Sequence, residues 1–285
     1  MTKVKALVVY GLGIGCHNET LSAYKLAGAE AELIHINSLL KISQSTLEAT
    51  QIINFSGGFL FGDILGSGMC AVNLIENSVL DNQKKLQDVL WDFSENGKVI
   101  YGQCNGFQVL VKSGLLPAIN KNHQEPVVSL SHNDCGSYRV DYVPHKVASD
   151  HFAFADLKDQ LFYLWCRHGE GKISFSTKYS KITESNAKEN LQEVLNSHLL
   201  LNYVHPETGK PTEEFPFNPN GSVLGIAGLK SANGRIFGQM AHPEVSVLKE
   251  QSPLWFKQKE EAKRSGQQIL EPVGLKIFKN IVGYF

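Results

Sequence analysis

The stretch KVIYGQCNGFQVLVKSG, residues 98–114, changes its period in the middle. Up to Gly102 it is a short apolar run with β-branched residues, which reads as a buried strand. Beyond Cys104 the apolar residues Phe107, Leu110 and Val111 recur at helical spacing. The junction, Gly102-Gln103-Cys104-Asn105-Gly106, has the G-x-nucleophile-x-G form of a nucleophile elbow. In such a tight strand-to-helix turn the central side chain is thrust out of the sheet, and flanking side chains larger than glycine would collide. A cysteine there also sits at a helix N-terminus, where the dipole favours an anionic side chain. A cysteine in an apolar run is equally often an inert buried residue, so the pentapeptide alone leaves both readings open.

Similar apolar runs, KALVVYG, AELIHI and QIINFS, precede this one, and helical stretches separate them. That alternation predicts βαβ units and an α/β fold with a mostly parallel central sheet flanked by helices. The intervening helices are expected at Glu19 to Gly28, at about Ser67 to Asn96, and at Asn105 to Ser113. After about residue 125 the segments VVSLSHND, SYRVDYVPHKV and SVLGIAGLKSANGRIFGQMAH predict an additional antiparallel strand layer, with ANGR as a hairpin tip. Residues 174–221 are polar and rich in Asn, Pro and Lys, and read as a surface elaboration. GLKIFKNIVGYF should close the fold as a helix packed on the sheet. The 285 residues are read as a single domain.

Composition excludes several function classes. A net charge of -1 gives no broad attraction to nucleic acid or to an anionic membrane surface. No run of about twenty apolar residues suggests a membrane span. The N-terminus lacks a secretory pattern, and five cysteines without C-x-x-C spacing argue against a disulfide framework or a structural zinc site. A cytoplasmic location is expected.

Two further motifs join the elbow. In MAHPE, His242 and Glu244 follow an apolar strand that could lie beside it, and Pro243 stiffens the turn between them. A thiol nucleophile needs a base and a group that orients the base, and Cys104, His242 and Glu244 supply that set. In SGGF, residues 56–59, consecutive glycines at a strand end let backbone N–H groups turn inward to stabilise an oxyanion. Gly58 N–H and Asn105 N–H are assigned to that hole. Taken singly, a turn histidine, a solvated carboxylate and a tight glycine turn would each be ordinary.

Gly-x-Cys-x-Gly-x-Gln at 102–108, His-Pro-Glu at 242–244 and Gly-Gly-Phe at 57–59 resemble the class I, triad-type glutamine amidotransferases, which have a flavodoxin-like architecture. More narrowly, GQCNGFQVLVKSGLLP, GGFLFGD, HGEGK, FPFNPNGS and the closing GLKIF resemble the long form of the phosphoribosylformylglycinamidine synthase glutaminase subunit. The resemblance implies that Cys104 attacks the side-chain amide of glutamine, His242 protonates the leaving ammonia and Glu244 holds the imidazole. It further implies substrate contacts from Gln108 and from the His168-Gly169-Glu170 turn, and no metal at the site. Gln103 stands where the family usually has an apolar residue, and Ala241 where it commonly has proline. The glycines of GLGIGC miss the dinucleotide spacing. The family has a comparable loop there, which implies that Cys16 lies in the surroundings of the pocket or in plain core.

No Walker A pattern or acidic cluster suggests a nucleotide or magnesium site, so no cofactor is expected in this chain. The resemblance implies that ATP and magnesium act on a partner, the formylglycinamidine ribonucleotide synthetase subunit, with a small third subunit as an optional member. The rival readings are the glutaminase of a different amidotransferase complex, a cysteine hydrolase of related fold acting on another substrate, and a non-catalytic binding module. The last would be expected to lose a triad member, and this chain keeps all three.

Overall fold

The computed structural model describes residues 3–175 and 184–285. Nine strands form one sheet in the order β2-β1-β3-β4-β11-β10-β9-β6-β7. Its first half is the expected parallel unit. Strands β1 (Lys5–Tyr10), β2 (Glu30–His35), β3 (Ile52–Phe55) and β4 (Val99–Gln103) run parallel, and β11 (Ile236–Gln239) joins β4 parallel, with Gly238 opposite Gly102. From β1 the chain steps to β2 on one side and to β3 on the other. The carboxyl ends of the strands at such a switch point are where α/β sheets place their ligands.

The antiparallel strands continue the same sheet rather than stacking on it. They are β10 (Ile226–Lys230), β9 (Leu199–Tyr203), β6 (Arg139–Val147) and β7 (Phe162–His168). Outside the sheet lies a two-stranded antiparallel ribbon of β5 (Ser129–His132) and β8 (Glu170–Ser174). The ANGR hairpin tip joins β10 to β11 as expected.

Because successive strand residues face opposite sides, the sheet buries two cores. Leu7, Val9, Ile53, Phe55 and Ile100 face one, covered by α4 (Met69–Asn77), α5 (Leu86–Glu95) and α6 (Asn105–Lys112). Ala6, Val8, Ile52, Val99 and Tyr101 face the other, covered by α1 (His17–Leu26) and the closing helix α9 (Val273–Gly283). The remaining helices are α2 (Ile36–Leu39), α3 (Gln44–Ala49), α7 (Glu184–Glu193) and α8 (Trp255–Ser265).

Two further expectations need correction. The single helix at about Ser67 to Asn96 is two, α4 and α5, parted by a small turn. There Leu80 N–H donates to Lys84 O at 2.9 Å and Gln83 takes a φ of 64°. The Asp81-Asn82 pair favours such a turn over helix. The segment 174–221 is not all surface elaboration either, because it contains β9, whose Leu200, Leu201 and Tyr203 are fully buried in mid-sheet. A five-residue apolar strand is lost in the average of a polar window. Asn218 and Asn220 are buried too, and part of this segment, residues 176–183, lies outside the described residues.

Candidate active site

Four parallel strands deliver the site. Cys104 follows β4 directly, with φ 52° and ψ −113°, a conformation that L-residues adopt only where the surroundings enforce it. Enforcement comes from close packing of the elbow on β3. A Cβ on Gly106 would meet the Phe55 carbonyl oxygen at 1.9 Å, so only glycine lets α6 start there. The thiol of Cys104 is buried and donates to the Arg167 carbonyl at 3.5 Å.

His242 comes from the turn after β11, anchored by its N–H donating to Trp165 O at 2.8 Å. Its Nδ1 lies 2.5 Å from Glu244 Oε1, and both residues are buried. A carboxylate only accepts, so Nδ1 carries a proton, and in the neutral form of the ring Nε2 keeps the lone pair that a base requires. That Nε2 is buried and, among the described residues, has no hydrogen-bond partner. A Cβ on Gly57 would lie 2.7 Å from His242 Cε1 and 3.2 Å from Cys104 Cβ, so ring and thiol flank the same glycine. Burial works against protonation of His242, yet the Glu244 carboxylate and then the Cys104 sulfur outweigh it, raising its basicity well above the usual imidazole range. Turning the thiol from Arg167 O toward Nε2 would complete the pair, a tightening common when substrate arrives.

Gly58 adopts φ 141° and lies against the loop after β1, where a Cβ would meet Gly15 N at 2.5 Å. Among the described residues neither the Gly58 nor the Asn105 N–H has an acceptor, as an oxyanion hole requires. The Asn105 side chain clips the two donors into one unit. Its Oδ1 accepts from Leu60 N–H at 3.3 Å, and its Nδ2 donates to Asp63 Oδ1 at 3.1 Å and Gln108 Oε1 at 3.0 Å.

Gln108 is buried, and its Nε2 donates to the Glu170 backbone carbonyl at 2.6 Å. Glu170 in turn points its carboxylate at Lys112 Nζ, 3.2 Å away. His168 sits beneath the same turn, with Nδ1 donating to Asn133 Oδ1 at 3.1 Å. Asn133 spends its own amide on the Ser137 and His168 carbonyls, which fixes that direction. Burial, and then the nearby His242 charge, pushes His168 down to about 3, so it stays neutral. Gly169 O accepts from Asn133 N–H at 2.9 Å. Gln108, His168, Gly169 and Glu170 therefore converge on one wall, braced by Asn133, Asp63 and Lys112. Sequence reading missed those three braces, although Asp63 ends the GGFLFGD motif.

Gln103, the departure from the family's apolar residue, faces the opposite side of the sheet. Its side chain accepts from Asn54 Nδ2 at 2.8 Å and donates to Thr20 Oγ1 at 2.7 Å, while Tyr24 OH donates to Asn54 Oδ1 at 2.9 Å. Thr20 then donates to Cys16 O at 2.8 Å. This chain seats Cys16 with its Sγ 3.7 Å from His242 Nδ1. Burial pushes the Cys16 thiol up, so it remains protonated beside the imidazole. Cys166, fully buried, is pushed by burial up to about 12 and is inert.

A strained elbow thiol, a buried imidazole–carboxylate pair and two N–H groups without acceptors among the described residues are the kinds of group that acyl transfer to a thiol requires. The CobB/CobQ-like glutamine amidotransferase domain matches residues 3–285, and the chain belongs to that family. It is 36% identical over 283 residues to the phosphoribosylformylglycinamidine synthase subunit PurQ of Methanococcus maripaludis, covering 99% of this chain and 97% of that one. To the PurQ subunit of Dehalococcoides mccartyi it is 37% identical over 285 residues, covering 99% and 98%. In fold it is similar to the structure of PurLQS from Thermotoga maritima, with a TM-score of 0.65 and 23% identity over 99% of both chains. No helix among the described residues is long and apolar enough to cross a membrane.

Proposed function

We propose that this protein is the glutaminase subunit of phosphoribosylformylglycinamidine synthase and makes ammonia for a synthetase partner in de novo purine biosynthesis. The observation that supports the reading is a bonded His242–Glu244 pair set beside Cys104 across Gly57, on a chain matched over 99% of its length by PurQ subunits.

Cys104 Sγ, giving its proton to His242 Nε2, attacks the carboxamide carbon of glutamine, and the oxyanion settles between Gly58 N–H and Asn105 N–H. His242 returns that proton to the departing nitrogen, so ammonia leaves and a glutamyl thioester remains. Water then attacks the thioester with His242 as base, which releases glutamate and restores the thiol. Glu244 keeps the imidazole proton on Nδ1 throughout. Gln108, His168, Gly169 and Glu170 form the wall against which glutamine seats, and no metal takes part.

Ammonia passes to the formylglycinamidine ribonucleotide synthetase subunit, which holds ATP and magnesium, and a small third subunit completes the assembly. This chain needs no cofactor of its own and works in the cytoplasm. The test mixes the chain with its cognate synthetase, ATP, formylglycinamide ribonucleotide and amide-labelled glutamine. Label should enter the amidine product, vanish with Cys104→Ala, and product should return with free ammonia. Hydrolysis of glutamine without label in that product would refute the pathway while leaving the triad in place.

A further inference from the structure

His242 Nδ1 has two neighbours, Glu244 Oε1 at 2.5 Å and Cys16 Sγ at 3.7 Å. Glutamine hydrolysis as derived above uses the first and has no role for the second. Cys16, His242 and Glu244 each present a ligand atom, and all three atoms lie within 4.8 Å of one another. Thiolate, imidazole and carboxylate are the donors that zinc takes, at about 2.3 Å for sulfur and about 2.0–2.2 Å for nitrogen and oxygen. Those lengths set sulfur and nitrogen about 3.5 Å apart around a tetrahedral ion. The Cys16–His242 separation already matches. Glu244 Oε2 is buried and, among the described residues, without a partner, so a second oxygen is available as the carboxylate swings to admit an ion. Cys16 is half-buried, and Leu12, Gly15 and Asn18 around it are exposed, which leaves a route from solvent.

We propose that Cys16, His242 and Glu244 form an inhibitory site for a thiophilic divalent cation of the zinc type, with solvent as the fourth ligand. Binding releases the Cys16 proton. A cation on Nδ1 leaves the neutral imidazole's one proton on Nε2, so the lone pair facing Cys104 is gone and the base is switched off. No motif spacing signals the site, because Cys16 stands 226 residues from His242.

Only the inhibition rests on the glutaminase reading; the binding does not. Cobalt(II) is titrated anaerobically into the full chain carrying Cys135→Ser, which removes an exposed thiol. One equivalent should give a thiolate-to-cobalt charge-transfer band that zinc displaces. The band should persist in Cys104→Ala and disappear in Cys16→Ser, whose glutaminase activity should need at least tenfold more zinc for half inhibition. X-ray absorption on the zinc-loaded chain, which needs no further substitution, should show one sulfur and three nitrogen or oxygen neighbours. Two sulfurs, a band surviving in Cys16→Ser, or one lost with Cys104→Ala would overturn the proposal by placing the ion on the nucleophile or elsewhere. No band at all would also overturn it. A cobalt band in a chain without glutaminase activity would support the site and refute only the proposed function.

Discussion

Gln108 donates from Nε2 to the Glu170 backbone carbonyl at 2.6 Å while its Oε1 takes a hydrogen bond from Asn105, so one side chain ties the elbow helix to the 168–171 turn. Truncation by Gln108→Ala leaves one amide hydrogen of Asn105 without its acceptor, the other still held by Asp63, and the Glu170 carbonyl without this donor. Leaving such groups unpaired costs about 1–3 kcal/mol. The expected result is a rise of roughly tenfold or more in KM for glutamine with a smaller fall in kcat, read by steady-state glutaminase kinetics. A loss confined to kcat would show that the strut serves the elbow rather than the wall.

The His242–Glu244 pair predicts a chemical phenotype as well as a kinetic one. With Glu244→Gln the charge that offsets burial is gone, so His242 becomes a weaker base and holds the imidazolium–thiolate pair less often. Activity should fall by about a hundredfold or more, as for other triads that lose their carboxylate. In a Cys135→Ser background, alkylation of Cys104 by iodoacetamide at neutral pH should slow by about tenfold. Unchanged alkylation together with lost activity would assign Glu244 to ring orientation alone.

Gln103, Asn54, Tyr24 and Thr20 form a closed polar chain under the elbow, inside an otherwise apolar layer. Replacing Gln103 by leucine, although it restores the family's usual residue type, would leave the Asn54 amide and the Thr20 hydroxyl short of partners. The expected cost is about 1–3 kcal/mol in denaturant unfolding, and the double substitution Gln103→Leu with Asn54→Val should recover part of it. Equal losses in the single and double variants would show that the four groups do not act together.

The parallel half of the fold was legible because each strand there is a short apolar run that stops at a glycine or polar turn. Cys104, His242 and Gly57-Gly58 each follow such a strand closely, so short motifs were enough to expect them at the same end of the sheet, where the structure brings them together. The antiparallel half was less legible. Strand β9 is five residues inside a polar segment, and β7 alternates buried and half-exposed residues but ends in polar ones, half-exposed Arg167 and buried His168. Cys16 was hardest of all. Its glycine-rich loop shows only that the chain turns, and the contact with His242 depends on the switch that sets the end of β1 beside the end of β3.

Buried histidines outside the triad predict how the fold responds to acid. His145 is fully buried between Phe162 and Tyr203, with Nδ1 bonded to Val143 O at 2.9 Å, and burial pushes it down to about 4. His151 is likewise pushed down to about 4, and His168 to about 3, chiefly by burial. Their folded values lie below the unfolded one of about 6.5, so between the two the unfolded chain binds more protons. The stability they contribute is full above pH about 6.5 and is lost as pH falls toward 4, by up to about 3 kcal/mol for each group. His242 has the opposite sign: its folded value is raised, so its contribution is full at low pH and is lost as pH rises through that folded value. The denaturant midpoint of the protein should therefore fall steeply between pH 6.5 and 5. His145→Phe, which cannot protonate, should lose less over that interval than the parent even though it forfeits the Val143 bond at neutral pH. Parallel pH profiles for the two chains would show that His145 titrates alike in the folded and unfolded states.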